Sequence, residues 1–475
     1  MLPGFLALGG DVGFFVGEGG EGVFGGGVEA AGTSYAIPAS YTPDPDVAPP
    51  TANNPFSGAG KYPGVGAFHD QRLIYARTDE KPQSFWGSVV GDFENLNKSS
   101  PVRDDDGFNF TINSAQVNEI RWMVSIRDLI IGTSGAEWKL SGAGGGAGVT
   151  PTSVQLTRQS RWGVSHLPPI VVGNSVLFVD GSRRKVRDLT YSLQVDGYDG
   201  NDLTILAQHL FEASPVKEWA YQPWPDPTLW AVREDGTLLG LTYHREHQVT
   251  AWHHHDTDGL FESVAVIQTG DGASEVWFLV RRTVGGQTKR YVERLHTRDF
   301  TEVADAFFVD SGLSYDGAPA TEISGLDHLE GKAVAVLADG NVVEGLSVAS
   351  GKITLPNAAS LVHVGLPYTC DLETLAFEFQ TPKGTLQDKK RAIFSSLMRL
   401  RNTRACLVGP SSDRLDELKF RTDEDYDEAT RLFSGDKEVF IDPGDARGGR
   451  LFVRVEDPLP ITVQAVIVRM DGGAG

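Results

Sequence analysis

Six stretches between residues 72 and 346 repeat one arrangement of apolar and polar positions. They are RLIYAR (72–77), DLIIGTSGAEWKL (128–140), SVLFVDGSRRKVRDLTY (175–191), TLWAVREDGTLLGLTY (228–243), EVWFLVRRTVGGQTKRYVERL (275–295) and KAVAVLADGNVVEGL (332–346). Most read as a strand rich in Val, Leu, Ile or Trp, a tight turn, and a second strand. Asp180-Gly181, Asp235-Gly236, Gly285-Gly286 and Asp339-Gly340 supply the turns, because two-residue hairpin loops need positive φ. Successive cores begin about fifty residues apart, a spacing of the kind that marks repeated multi-strand units. About six such units predict a mainly β, β-propeller-like domain of hairpin blades. A β-sandwich remains the competing architecture on pattern alone.

The flanks of this region read differently. Residues 1–60 turn from Gly-rich (GEGGEGVFGGG) to Pro-, Ser- and Asn-rich (PASYTPDPDVAPPTANNPFSGAG), which predicts an extended arm ordered by a partner surface. The arm has no basic start and no unbroken apolar run, so neither a signal peptide nor a membrane span is expected. Its Gly-rich run carries carboxylates and no Lys-Ser/Thr ending, so it is not a phosphate loop. Residues 61–360 are assigned to the propeller-like domain and 361–475 to a smaller β-rich domain. Within the latter, KKRAIFSSLMRLRNTRACLVG (389–409) fits a helix or bent strands equally, whereas RLFVRVEDPLPITVQAVIVRM reads as two strands.

Composition narrows the function. The 475 residues are 40% hydrophobic, with 55 Gly, 25 Pro and 4 Met, which favours turn-rich β structure over helical bundles. A net charge of −21 opposes nucleic-acid binding by phosphate neutralisation. Cys370 and Cys406 are the two cysteines, in no metal-ligand spacing, and whether they pair is open. The densest candidate for chemistry is YHREHQVTAWHHHD, with His244, His247, His253, His254 and His255. Strand alternation would put His244 and His247 on opposite sides and keeps His253 and His254 from converging, so His253, His254 and His255 are weak metal candidates. Asp104-Asp105-Asp106 lacks the spaced ligands of a calcium loop and reads as a solvated turn. No nucleophile elbow, zinc-protease helix or P-loop occurs; neither an enzyme nor a cofactor is expected.

YPGVGAFHDQRLIYARTDEKPQSFWGSVVGDFENL (62–96) resembles a segment of the tail nozzle, or tail hub, proteins of short-tailed bacteriophages. The likeness lies in Tyr62-Pro63, Gln71-Arg72-Leu73, Pro82-Gln83, and Ser88 with Gly91-Asp92-Phe93, in that order. Residues 116–142, 156–180, 186–211, 235–264 and 456–466 continue it. Larger relatives carry extra β structure at the front, where this chain has only the arm.

The resemblance implies a virion tail protein, assembled in the host cytoplasm and forming a homohexameric ring below the portal. Its implied partners are an adaptor ring, tail fibres or a tail tip, and double-stranded DNA that passes without tight binding. With the acidic charge it predicts a negative channel face, with Asp104, Asp105, Asp106, Asp196 and Asp199 as lining residues. Arg183, Arg184 and Lys185 are then expected at contacts between subunits or rings. Two alternatives stay open: a glycan- or receptor-binding propeller using Trp219, Trp224 and Trp230, and a secreted propeller hydrolase.

Overall fold

The computed structural model describes residues 54–472 apart from 115, 144–147, 271, 379–390, 426–427 and 444–447. The N-terminal arm before residue 54 therefore lies outside the described residues. Phe56, which the sequence assigned to the arm, is already part of the fold: it is buried, and its ring stands edge-on to Tyr75 and Trp86, 5.3 Å from each.

The chain divides into two compact units. The first runs to His255 and includes Ser263–Ser274; the second comprises Asp256–Glu262 and Glu275–Gly475. The first unit holds four four-stranded antiparallel sheets, over residues 65–111, 120–160, 170–199 and 216–255, each a meander of strands adjacent in sequence. Each sheet contains one of the repeated cores, so the recurrence in sequence is the recurrence of sheets.

Packing between these sheets follows chain order. Ile74 and Phe85 of the first sheet share a core with Ile120, Leu129, Ile131 and Leu140 of the second. Trp122 and Ile130, on the opposite face of the second, pack on Val176, Phe178 and Leu189 of the third. Leu177, Val179 and Val186 then face Leu229, Ala231, Leu239 and Leu241 of the fourth. The strand Ser175–Val179 is thus buried on both faces, which explains its unbroken apolar run SVLFV. Face-to-face stacking of successive meanders is the arrangement of propeller blades and removes the two-sheet sandwich. Each fully buried Leu or Val on these faces contributes roughly 1.5–3 kcal/mol of transfer free energy.

The turns divide by type. Asp339-Gly340 and Gly285-Gly286 have positive φ at both residues and close two-residue hairpins, as expected. Asp70 and Gln71 do the same between Val65–His69 and Arg72–Ala76. At 235–236 only Gly236 has positive φ. Asp180-Gly181 does not act as the turn: the loop is longer, and its left-handed residue is Arg183. The Asp180 carboxylate accepts from the Ser182 N–H and hydroxyl, which favours that wider loop over a two-residue one.

The hairpin Ser274–Val284 and Gln287–Arg294, which belongs to the second unit from Glu275 onward, is part of a three-stranded sheet. Two 15-residue strands, Asp310–Ser324 and Lys352–Leu366, pair within a four-stranded sheet that also holds Ala333–Ala338 and Asn341–Ser347. Two further sheets lie between residues 370 and 472. Arg391–Thr403 is a strand, not a helix: it pairs with Phe433–Phe440 on one side and Val463–Gly472 on the other. Met398 and Leu400 point inward while Arg399 and Arg401 alternate with them outward. The chain does not part near residue 361. Leu337 and Leu459 share a buried cluster with Ala306, which ties the sheet of 310–366 to the C-terminal segment.

Candidate functional site

The first unit contains a cavity of about 670 Å³ at one end of its first three sheets. His69 ends a strand of the first sheet and Asp70 begins the turn after it. Arg127 and Asp128 form the turn between the first two strands of the second sheet, whose other two strands supply Lys139, Gln155, Arg158 and Gln159. Tyr191 and residues 195–198 come from the third.

The wall is held by hydrogen bonds to its acids. Tyr198 donates its hydroxyl to Asp128 at 3.0 Å, and Tyr191 donates to Asp196 at 2.6 Å. Burial, reinforced by the Asp128 charge, pushes the Tyr198 pKa up; at Tyr191 the bond to Asp196 is the main cause of the same shift. Both phenols stay protonated as donors. The Tyr198 backbone N–H donates to Gln159 Oε1 at 2.7 Å. The Arg127 guanidinium sits 5.3 Å from the Tyr191 ring centre, and Arg158 lies 5.9 Å from that of Trp138.

His69 is buried, its Nδ1 2.8 Å from Ser125 Oγ and its Nε2 3.3 Å from Asp70 Oδ2, while Asp70 also accepts from the Val149 N–H. Burial lowers the His69 pKa against the pull of Asp70 and Asp128, which keeps the imidazole neutral. A Ser-His-Asp contact of this kind invites a nucleophile reading, but Ser125 does not line the cavity. The three residues clamp two strand ends, at His69 and Ser125, to the turn at Asp70.

The residues singled out in sequence fall in different places. The Asp104-Asp105-Asp106 loop wraps the guanidinium of Arg72, which is 1% exposed and donates to the carbonyls of Ser88, Asp104 and Asp106 at 2.5, 2.5 and 2.6 Å. Asp106 is not solvated. Its carboxylate accepts from the backbone of Arg103 and from Ser99, bonds that hold its pKa below the usual carboxylate range. Asp104 accepts from the Thr152 hydroxyl, and Asp105 is exposed. Asp196 lines the cavity; Asp199 is exposed and accepts from the Gly200 N–H.

Arg183, Arg184 and Lys185, expected at subunit contacts, all have partners inside their own unit. Arg183 pairs with Glu234 at 2.6 Å, Arg184 donates to the Glu212 carbonyl, and Lys185 pairs with Asp202 at 3.3 Å.

The histidines also rearrange one expectation. His244 and His247 do not face opposite sides; their rings lie 6.4 Å apart because Arg245–His247 form a 3-10 turn that interrupts the alternation. His253 Nδ1 and His255 Nε2 are 2.8 Å apart on one face, beside the Trp230 ring, with His254 between them in sequence and exposed. Gly240 stands opposite His253 in the sheet, and a Cβ there would meet the imidazole at 2.0 Å, so the glycine makes room for the ring. No group of three or more His, Cys, Asp or Glu placed to hold a metal occurs among the described residues.

Trp219 and Trp230 are buried and donate to the Pro168 carbonyl and Gln222, whereas Trp224 is 60% exposed. Both cysteines are free. Among the described residues no helix is long and apolar enough to cross a membrane.

Sequence reasoning named Asp196 but missed Arg127, Lys139, Arg158 and Tyr191. The available signal was that charged residues cluster at strand ends on consecutive repeats.

No protein-family model and no curated protein sequence matches this chain. Among solved structures it is similar to a luciferin-regenerating enzyme, at 11% identity over 48% of this chain and 88% of that one, with a TM-score of 0.20. It is also similar to Raptor of Chaetomium thermophilum, at 12% identity over 65% of this chain and 28% of that one, with a TM-score of 0.31. Neither superposes closely enough to carry a conclusion about this chain.

Proposed function

We propose that the protein is a structural subunit of a ring-shaped virion tail nozzle or hub, the conduit for DNA ejection. The observation that carries this reading is the ordered series of nozzle-like segments and where they fall. Residues 62–96 lie on the first sheet, 116–142 on the second, 186–211 across the third and 235–264 on the fourth and beyond, while 456–466 lie at the C-terminal sheets. A wall of consecutively stacked sheets, each buried against the next, resists deformation because close-packed interiors have low compressibility.

In this reading six copies surround an axial channel, an adaptor ring sits above, and fibres or a tip attach below. Chemistry is left to other virion components. The −21 charge suits a lining past which DNA slides, since each phosphate held by a cation adds drag. The test is sedimentation of the full chain together with double-stranded DNA binding at low salt. A multi-subunit species without DNA binding is expected. A monomer at all concentrations, or micromolar DNA binding that weakens steeply with salt, would overturn the reading.

A further inference from the structure

We propose that the cavity of the first unit binds an acidic saccharide, a short chain of sugars bearing carboxylates. Its volume of about 670 Å³ lies within the roughly 300–1,000 Å³ usual for ligand sites. The proposal goes beyond the conduit reading and does not depend on it.

The chemistry of the wall selects the ligand. Arg127, Lys139 and Arg158 all line the cavity, and none of them forms an ion pair among the described residues. In a chain this acidic, three cations in one cavity with no carboxylate in ion-pair contact call for an anion. Arg127 is held against Tyr191, so its planar fork is set in advance for a carboxylate.

The same wall carries Asp128 and Asp196, each accepting from one tyrosine hydroxyl, and Asp70, whose Oδ2 faces the Val149 N–H and His69 Nε2 and whose other oxygen has no protein donor among the described residues. A carboxylate has about four lone-pair sites, so each can accept more hydrogen bonds. A ligand that approaches them must bring hydroxyl or amide donors. Gln155 also lines the cavity, while the Gln159 amide is taken up by the Tyr198 N–H and the Thr157 carbonyl.

Three cations against three aspartates, with His69 neutral, leave the lining close to zero net charge. An oligophosphate or nucleic acid would meet three aspartates with no donors of its own to offer them. A neutral sugar would cover three cations that no carboxylate of the wall contacts as an ion pair, which is costly. Hydroxyl groups alternating with single carboxylates satisfy both halves of the wall.

The test is titration calorimetry on the full chain with trigalacturonate and disialic acid as probes, and maltotriose and tripolyphosphate as controls. One of the acidic saccharides should bind at a 1:1 ratio, more weakly as salt rises, and maltotriose should not. Arg158→Ala and Lys139→Ala should each weaken binding by about tenfold without lowering the melting temperature. Asp196→Asn should also weaken the saccharide while strengthening any tripolyphosphate binding. The proposal fails if neither acidic saccharide binds at about 10 mM. It fails equally if binding survives all three substitutions, or if tripolyphosphate binds as well as the saccharide and Asp196→Asn improves both, the signature of a plain anion patch.

Discussion

Replacing Arg72 with Met should loosen the fold of the first unit through one loop. The Arg72 guanidinium is enclosed, donates to three carbonyls at 2.5–2.6 Å and sits 5.3 Å from the Phe108 ring. Burial pushes its pKa down, opposed by the charges of Asp105, Asp70 and the rest of the acidic loop, yet an arginine stays protonated in any protein. Met keeps the length and the apolar stem but strands the carbonyls of Ser88, Asp104 and Asp106. Hydrogen bonds from a charged donor contribute about 1.5–3 kcal/mol each, so three lost bonds give an upper sum of roughly 4.5–9 kcal/mol. Water can reach the outer part of the loop, because Asp104 and Asp105 are exposed, and this reduces the expected loss to about 3–5 kcal/mol. Urea unfolding followed by tryptophan fluorescence reads the loss, and limited proteolysis between residues 101 and 107 reads the loop. Arg72→Lys should fall between, with the charge kept and the planar fork gone. A loss under about 1 kcal/mol with an uncut loop would refute the assignment of Arg72 as the anchor of the acidic turn.

Three further outcomes are expected. In the second unit, Arg282 is buried and bonds both oxygens of Glu293 at 2.6 and 2.7 Å and Asp310 at 3.0 Å; burial opposes its charge, but the two carboxylates more than offset this and raise its pKa. Arg282→Met should therefore cost about 3–5 kcal/mol in thermal unfolding, and adding Glu293→Gln and Asp310→Asn should recover much of it, whereas no recovery would contradict the pairing. Glu137 is fully buried, and burial raises its pKa above 4.5, so its stabilising contribution is complete below that value and is lost as pH climbs through the raised folded value. The melting temperature of Glu137→Gln should gain on the parent as pH rises from about 4 to 7; a constant difference would show that the carboxyl is not titrating in the fold. Deleting residues 1–53, which keeps Phe56 on its ring partners, should leave the melting transition intact while weakening self-association, and unchanged association would count against an assembling arm.

The repeat was legible because it is local. Every repeated core in the sequence lies in a separate sheet, since strand, turn and return strand are contiguous and their period of two is written in the residues. The double burial of Ser175–Val179 was visible as an unbroken apolar run. Residues 391–403 were ambiguous because Ile393, Met398 and Leu400 suit either period, and the deciding partners, 433–440 and 463–472, lie far along the chain. Nothing in the sequence marked Arg72, the first residue of the core RLIYAR, as a buried anchor. It falls on the inward face of its strand, with Ile74 and Ala76, and its acceptors come from a loop more than thirty positions away for Asp104 and Asp106. The cavity was illegible for the same reason: His69, Arg127, Lys139, Arg158 and Asp196 meet only through the stacking of three sheets, and no spacing along the sequence encodes it.

Electron microscopy of the purified full chain, or of the particle that carries it, tests the central claim most directly. The conduit account predicts closed rings, six-fold by its likeness to nozzle proteins, around an axial hole wide enough for duplex DNA. The lumen should be lined by more acidic than basic side chains. Dispersed single copies at high concentration and on the particle, or rings closed over with no hole or with a basic lumen, would contradict it.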